Sequence, residues 1–397
     1  MKVLQINAVY GYRSTGLIAR DINDLLAKEG AEVFAAYQTC TEPPANGYRL
    51  GNLWDWKLHA LLSRISGKQA WFSKGATRRF LQWVDQIRPD IVHLHNLHSN
   101  YIDLPLLLEY LAKKDIATVI TMHDCWYFTG KCFHYANVGC DRFQTGCGNC
   151  PQKKTMPRSF FFDRSAEVFA EKKKLLQAIP RLKIVGCSEW ICRESKKGFF
   201  KDFDVSCIRN GVDTDVFKPQ DVSDLRGQYE LGNAKIILGM ANKWLLPSNG
   251  EALARVLTLL NESLRLVLIG CSESQIRKLK KASAFVLPLG YIKGREALAR
   301  HYCLADVFVN LTHADTLPTV NMESICCGTP VVTYNSCGSP ELVLEGCGTV
   351  VPEYDVGALI PAIQASLGKS TNVELARSMF EKSKNYRAYL DVYKKLI

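Results

Sequence analysis

Short runs rich in valine, isoleucine and leucine alternate with stretches of helical period from one end of this 397-residue chain to the other. That alternation limits the fold more than any other feature, because strand–helix–strand repeats close into parallel sheets covered by helices. Strand candidates in the first half are Val3 to Ile6, Val33 to Tyr37, Ile91 to Leu94, Thr118 to Met122 and Lys183 to Val185. A second set is Ile236 to Gly239, Leu266 to Ile269, Phe285 to Leu287, Val307 to Asn310 and Val331 to Tyr334. Helical stretches include Leu17 to Lys28, Glu251 to Leu260 and Glu296 to Cys303. Between the sets, Asn210-Gly211-Val212-Asp213 and the polar stretch to Asn233 read as a linker. The expected fold is α/β: two doubly wound, Rossmann-like domains, 1–213 and 214–375, with a helical segment 376–397 packing back on the first. Such sheets take ligands at the carboxyl ends of their strands, so two facing domains predict an interdomain cleft for something small and charged.

The start of the chain, Met1 to Gly16, has no uninterrupted apolar run or small-residue cleavage site and reads as a first strand. No apolar stretch reaches the roughly 18 residues that cross a bilayer. Both features predict a cytoplasmic protein. Its fifteen cysteines then imply thiols that are buried, reactive or metal-bound rather than a disulfide framework. The net charge of +11 is uneven: Pro151 to Lys201 holds 13 Lys/Arg against 5 Asp/Glu, which points to an anionic partner surface.

The segment Leu311 to Pro330 carries the most chemistry. A strand ends near Leu311, a loop holds Asp315, and a helix starts near Pro318 or Thr319 and stops at Gly328. Free N–H groups at such a helix start suit a diphosphate or the sugar attached to it. Glu323, about one turn in, can accept hydrogen bonds from the vicinal hydroxyls of a ribose, and Asp315 can hold the sugar. Spacing alone leaves open a solvated loop Asp and an exposed helix Glu.

Asp315-x7-Glu323 followed by Ser-Ile-Cys-Cys-Gly-Thr-Pro-Val-Val resembles the Glu-x7-Glu signature of family 4 retaining glycosyltransferases with the GT-B fold, with Asp in place of the first Glu. The likeness extends to the Gly16 loop, His123-Asp124, Asn210 to Asp213 and Leu304 to Phe308. It is nearest the branch that builds capsular, O-antigen and colanic-acid-type polysaccharides. The resemblance implies a nucleoside-diphosphate-sugar donor, a glycan or lipid-linked glycan acceptor, hexosyl-type transfer and metal-independent chemistry without a catalytic cofactor. By the same likeness Glu323 binds the donor ribose, Asp315 the sugar hydroxyls, and the amides of Thr319 and Val320 the sugar or phosphate. His123 faces the sugar, and Gly16 lies by the phosphates or the acceptor. Family members usually place Lys-Gly after the first strand of the second domain; here Asn249 precedes Gly250, leaving Lys243, Arg209 or Lys293 as substitutes. That departure keeps a second reading alive, a sugar-nucleotide-binding homologue without transferase activity.

Three further clusters stand out. Cys132, Cys140, Cys147 and Cys150, the last two as Cys-x2-Cys, have the chemistry of a closed structural zinc site; buried reduced thiols are the alternative. From Trp54 to Lys74 aromatic and basic residues alternate at roughly helical spacing, and Phe160-Phe161-Phe162 precedes Lys172-Lys173-Lys174. These suit either peripheral contact with an anionic membrane at its inner face or ordinary core packing. His93, His95 and His98 sit at a strand end without assigned chemistry. A zinc-stabilised nucleic-acid binder is disfavoured because no recognition helix or stacking motif accompanies the charge.

Overall fold

The computed structural model describes residues 1–397, which form two units: 1–210 with 383–397, and 211–382. In the first unit the strands are β1 (Lys2–Tyr10), β2 (Glu32–Cys40), β3 (Gly47–Arg49), β4 (Ile91–Leu94), β5 (Ala117–Met122), β6 (Leu182–Gly186) and β7 (Val205–Cys207). They pair in parallel in the order β3-β2-β1-β4-β5-β6-β7. The strands of the second unit are β8 (Lys235–Met240), β9 (Leu264–Ile269), β10 (Val286–Leu289), β11 (Val307–Asn310), β12 (Val331–Tyr334) and β13 (Gly348–Val351). They too are parallel, ordered β10-β9-β8-β11-β12-β13.

Burial on both faces explains why the runs are continuous rather than alternating: every residue of β4, β5, β11 and β12 is buried. Three short edge strands, β3, β7 and β13, lack such runs, which is why sequence pattern passes over them.

Each sheet reverses its winding once, between β1 and β4 in the first unit and between β8 and β11 in the second. At such a reversal the connecting helices leave to opposite faces, and the loops beyond the strand ends part to leave a crevice.

The expected boundary at 375/376 moves to 382/383. Helix Val373–Phe380 stays with the second unit, where Val212 N–H donates to the Phe380 carbonyl at 2.8 Å and Lys382 pairs with Asp213 at 2.8 Å. The last helix, Lys382–Leu396, then packs Tyr386, Tyr389, Leu390 and Tyr393 into the core of β1, β5 and helix Arg13–Lys28. Tyr393 Oη and Thr121 Oγ1 both bond the ring of buried His93, at 2.6 and 2.7 Å.

Candidate functional site

In the second unit the crevice at the reversal is bounded by the loops after β8 and β11. The chain leaves β8 through a short helix, Ala241–Trp244, whose Trp244 is fully buried and donates Nε1–H to the Val309 carbonyl at 2.9 Å. Gly239 makes room for that indole: a Cβ there would stand 2.1 Å from Nε1. Lys243 is thereby set at the mouth of the crevice, half-buried.

Asn249, where the family pattern has lysine, is buried and ties the two loops together. Its Nδ2 donates to the carbonyls of Lys243 at 2.9 Å and Leu311 at 2.8 Å, so its Oδ1 faces His313 Nε2 at 2.8 Å. The Nε2 atom therefore carries a proton. His313 Nδ1 faces Glu353 Oε1 at 3.0 Å, and a second proton must lie on that contact. Burial lowers the His313 pKa, opposed by the Glu353 carboxylate, and Lys243 is close enough to add to the lowering. The imidazole is sandwiched between Tyr354, at 4.1 Å, and Tyr334, at 5.2 Å.

Beyond β11, Asp315 accepts the Leu317 N–H on Oδ1 at 3.1 Å, and its carbonyl accepts Gly338 N–H at 3.1 Å. Those bonds turn the chain into helix Thr319–Cys326, which begins at Pro318 with no side-chain cap. The amides of Thr319 and Val320 thus open the helix at its positive end. Buried polar atoms without partners cluster in the same segment: Thr312 Oγ1, Thr316 Oγ1 and Asn321 Nδ2, with Ser339 Oγ in the next loop. Such groups are costly unless something bonds them.

Glu323, one turn into the helix, is partly buried and accepts from Tyr302 Oη at 3.0 Å. Burial pushes its carboxyl up to about 7 against the pull of Tyr302 and of Arg295. Arg295, at the start of helix Arg295–Leu304, is the cation whose field reaches Glu323; sequence reasoning named Lys293 instead. The structure therefore brings Lys243, Asp315, Thr319, Val320 and Glu323 to one reversal point. It adds Asn249, His313 and Arg295, for which only the departure before Gly250 gave any hint.

The first unit carries a cavity of about 1010 Å³ at its own reversal, reached by Ala8, Tyr12 and Arg13 after β1 and by His98 and Asn100 after β4. Gly16 lies inside helix Arg13–Lys28 rather than in a loop before it. Its missing side chain serves the close approach of helix to strand, since a Cβ would meet the Val9 carbonyl at 3.0 Å. His123 Nε2 bonds His95 Nδ1 at 2.9 Å, and His95 Nε2 in turn bonds Gln5 Oε1. With Gln5 Oε1 as acceptor, the chain fixes His123 Nε2 as a donor and leaves Nδ1, buried and unpartnered, as an acceptor. Burial lowers the His123 pKa to about 4, so the ring is neutral near pH 7. Next to it, Asp124 bonds His98 Nε2 at 2.8 Å; burial would raise its pKa, but His98 holds the carboxyl below the usual range.

Around the four cysteines no three His, Cys, Asp or Glu side chains are grouped to hold a metal ion, although the charges of Cys140, Cys147 and Cys150 all reach Cys132. Cys147 Sγ accepts the Gly130 N–H at 3.1 Å, and Cys132 is buried, its thiol pushed up to about 12 by burial. Other interactions hold the insert. Phe143 packs against Phe128 and Tyr135, and Lys131 Nζ donates to the Lys153 carbonyl at 2.9 Å. Lys172, fully buried 4.2 Å from the Trp126 ring, donates to the Trp126 carbonyl.

Two parallel-sheet units of nucleotide-binding type, the second with an uncapped helix start beside an acidic pair, define the GT-B class of fold. Residues 18–216 match the model of Glycosyltransferase Family 4 and residues 243–369 that of Glycosyl transferases group 1, and the chain belongs to glycosyltransferase family 4. It is 23% identical over 327 residues to the putative colanic acid biosynthesis glycosyl transferase WcaC of Escherichia coli, covering 78% of this chain and 77% of that protein. Among solved structures it resembles sucrose-phosphate synthase from Thermosynechococcus elongatus, with a TM-score of 0.70, 16% identity and 100% and 98% of the two chains covered. Anabaena HepE in complex with UDP and glucose gives a TM-score of 0.65 at 14% identity, with 99% of each chain covered. No helix is long and apolar enough to cross a membrane.

Proposed function

We propose that this chain moves a hexose or related sugar from a nucleoside diphosphate to a hydroxyl of a glycan or lipid-linked glycan acceptor, with retention at the anomeric carbon, in surface polysaccharide assembly. The observation that carries the reading is the uncapped start of helix Thr319–Cys326, with unpartnered buried groups beside it and Glu323 one turn in. The Thr319 and Val320 amides meet the sugar or its diphosphate, Glu323 the ribose, and Asp315 the sugar hydroxyls.

As the bond from the anomeric carbon to the diphosphate breaks, charge gathers on the leaving group. Lys243 and Arg295 supply the compensating cations that family members draw from the lysine replaced here by Asn249. One preorganised donor of this kind is worth about 2.7–4 kcal/mol of barrier. In the first unit, the neutral His123 ring offers its Nδ1 acceptor to a sugar hydroxyl.

The buried Asn249 favours one competing reading, a nucleotide-sugar-binding protein without turnover. Incubating purified chain with labelled UDP-glucose and GDP-mannose and lipid-extract acceptors separates the two. Labelled glycan product and released nucleoside diphosphate are expected; saturable donor binding with neither product supports the competitor. The WcaC likeness and the UDP complex of HepE support a sugar-nucleotide donor.

A further inference from the structure

Helix Leu53–Ser66 keeps small and polar side chains inside and large apolar ones outside. Inward it buries His59, Ala60 and Ser63. Outward it presents Trp54, Leu58, Leu61 and Ile65, whose spacing of four, three and four residues makes one stripe along the helix. Trp54 is 76% exposed and Leu58 59%. Beside it the loop 156–162 adds Met156, Phe160, Phe161 and Phe162, all exposed, with Phe161 at 64%.

Backbone contacts join helix and loop into one surface. Phe160 N–H donates to the Arg64 carbonyl at 2.7 Å. Gly67, at φ +78°, lets the Phe162 carbonyl approach to where a Cβ would stand only 2.5 Å away. An apolar face this continuous is rare on a protein surface without a binding role.

Cations are set among these side chains. Lys57 lies 5.0 Å from the Trp54 ring, Arg158 5.2 Å from Phe160 and Arg164 5.4 Å from Phe162. The neighbouring acids are already engaged: Asp55 in the capping box of the helix, Asp163 with the Cys150 and Ser165 amides, and Glu167 with Lys68 and Arg164. Protein–protein interfaces deplete lysine at their apolar centres while enriching arginine, so Lys57 against Trp54 is the cation that sets this face apart from them. Arg164 shares Glu167, but Lys57 and Arg158 have no acidic partner, and apolar side chains interleaved with such cations match the headgroup zone of a bilayer, where rings and leucines enter the acyl boundary and cations meet lipid phosphates.

We infer that this face of the first unit docks on an anionic lipid bilayer. Leu61, Arg64, Met156, Arg158 and Phe160 belong both to the face and to the wall of the 1010 Å³ cavity, so docking places the mouth of that cavity at headgroup level. Combined with the transferase reading, on which this further step rests, the acceptor is a lipid-anchored one presented from the membrane. The docking itself needs only the surface.

The test is co-flotation of the full chain with vesicles of phosphatidylcholine, alone or with about 30% phosphatidylglycerol, near physiological salt of about 0.15 M. The parent protein floats with the anionic vesicles and not with the neutral ones. A Trp54→Ser/Leu58→Ser/Phe161→Ser variant, whose changes lie outside the cavity wall, keeps its circular dichroism and binds at least about 10-fold more weakly. Lys57→Gln weakens binding about 5-fold. A parent that ignores anionic vesicles, or a triple variant that binds like the parent, overturns the proposal. So does a dimer in lipid-free sedimentation that the triple variant abolishes without any flotation, which assigns the face to a second copy. Sugar-nucleotide binding is read separately: flotation without it leaves docking intact and removes the transferase reading.

Discussion

Replacing Glu323 by Gln keeps the side chain's shape and its bond to Tyr302 but removes the ionisable group. Burial lifts this carboxyl from 4.5 to about 7. At about 1.36 kcal/mol per pH unit, the gap is about 3.4 kcal/mol, which partial solvent access reduces to about 1–2 kcal/mol. The folded chain holds the proton more tightly than the unfolded chain. The group's contribution is therefore most favourable below 4.5, falls as pH rises to about 7, and is level above. Near pH 8 the Gln variant should melt about 2–8 °C above the parent in a thermal-shift assay, with the difference closing toward about pH 4. Ligand binding should move the other way. Only the carboxylate accepts both ribose hydroxyls, and its ionised fraction rises about tenfold between roughly pH 6 and pH 8. Calorimetric binding of UDP-glucose or GDP-mannose, whichever the chain takes, should tighten by about that factor in the parent and stay flat and weak in the variant. A variant that melts below the parent near pH 8, or a parent whose donor affinity ignores pH, would refute the reasoning.

Other outcomes follow from the same geometry. Asn249→Lys, which restores the family residue, should destabilise by about 1–3 kcal/mol because the Lys243 and Leu311 carbonyls lose their shared donor; chemical denaturation measures it. Gly239→Ala should cost about 1–3 kcal/mol or more by forcing Trp244 off Val309, seen as a lower melting temperature and a changed tryptophan spectrum. Lys243→Ala should lower kcat about 10²–10³-fold with little change in donor affinity, if leaving-group charge is its task; single-turnover kinetics decide. Burial lowers the Lys172 pKa from 10.5 to about 7, so the folded state sheds this proton first and parent stability should rise with pH across that interval. Lys172→Met should flatten that rise in urea melts taken at several pH values.

The strands of both sheets other than the edge strands β3, β7 and β13 were legible because a parallel strand buried on two faces must be written as an unbroken apolar run, and Thr118 to Met122 or Val307 to Asn310 can be little else. The placing of Asp315, Thr319, Val320 and Glu323 was legible for a similar local reason: they lie within one strand–loop–helix passage, where sequence separation fixes spatial separation. The burial of Glu323, and hence its raised pKa, was not local, and neither were the opposing pulls of Tyr302 and Arg295 from another helix.

Sequence by itself therefore determined the α/β class, the two sheets and the helix start that follows Asp315, since each follows from periodicity and short-range backbone geometry. Tertiary structure decided the rest. It placed Asn249 against His313, set Tyr393 on His93 across 300 residues, and gave Cys147 Sγ the Gly130 N–H as its partner. It also decided that helix Leu53–Ser66 buries His59, Ala60 and Ser63 and leaves Trp54, Leu58, Leu61 and Ile65 exposed, a choice that spacing alone left open. The physical reason is common to all of these. Long-range contacts are selected by the packing of whole elements, and a residue's neighbours across the fold leave no periodic trace in its own stretch of chain.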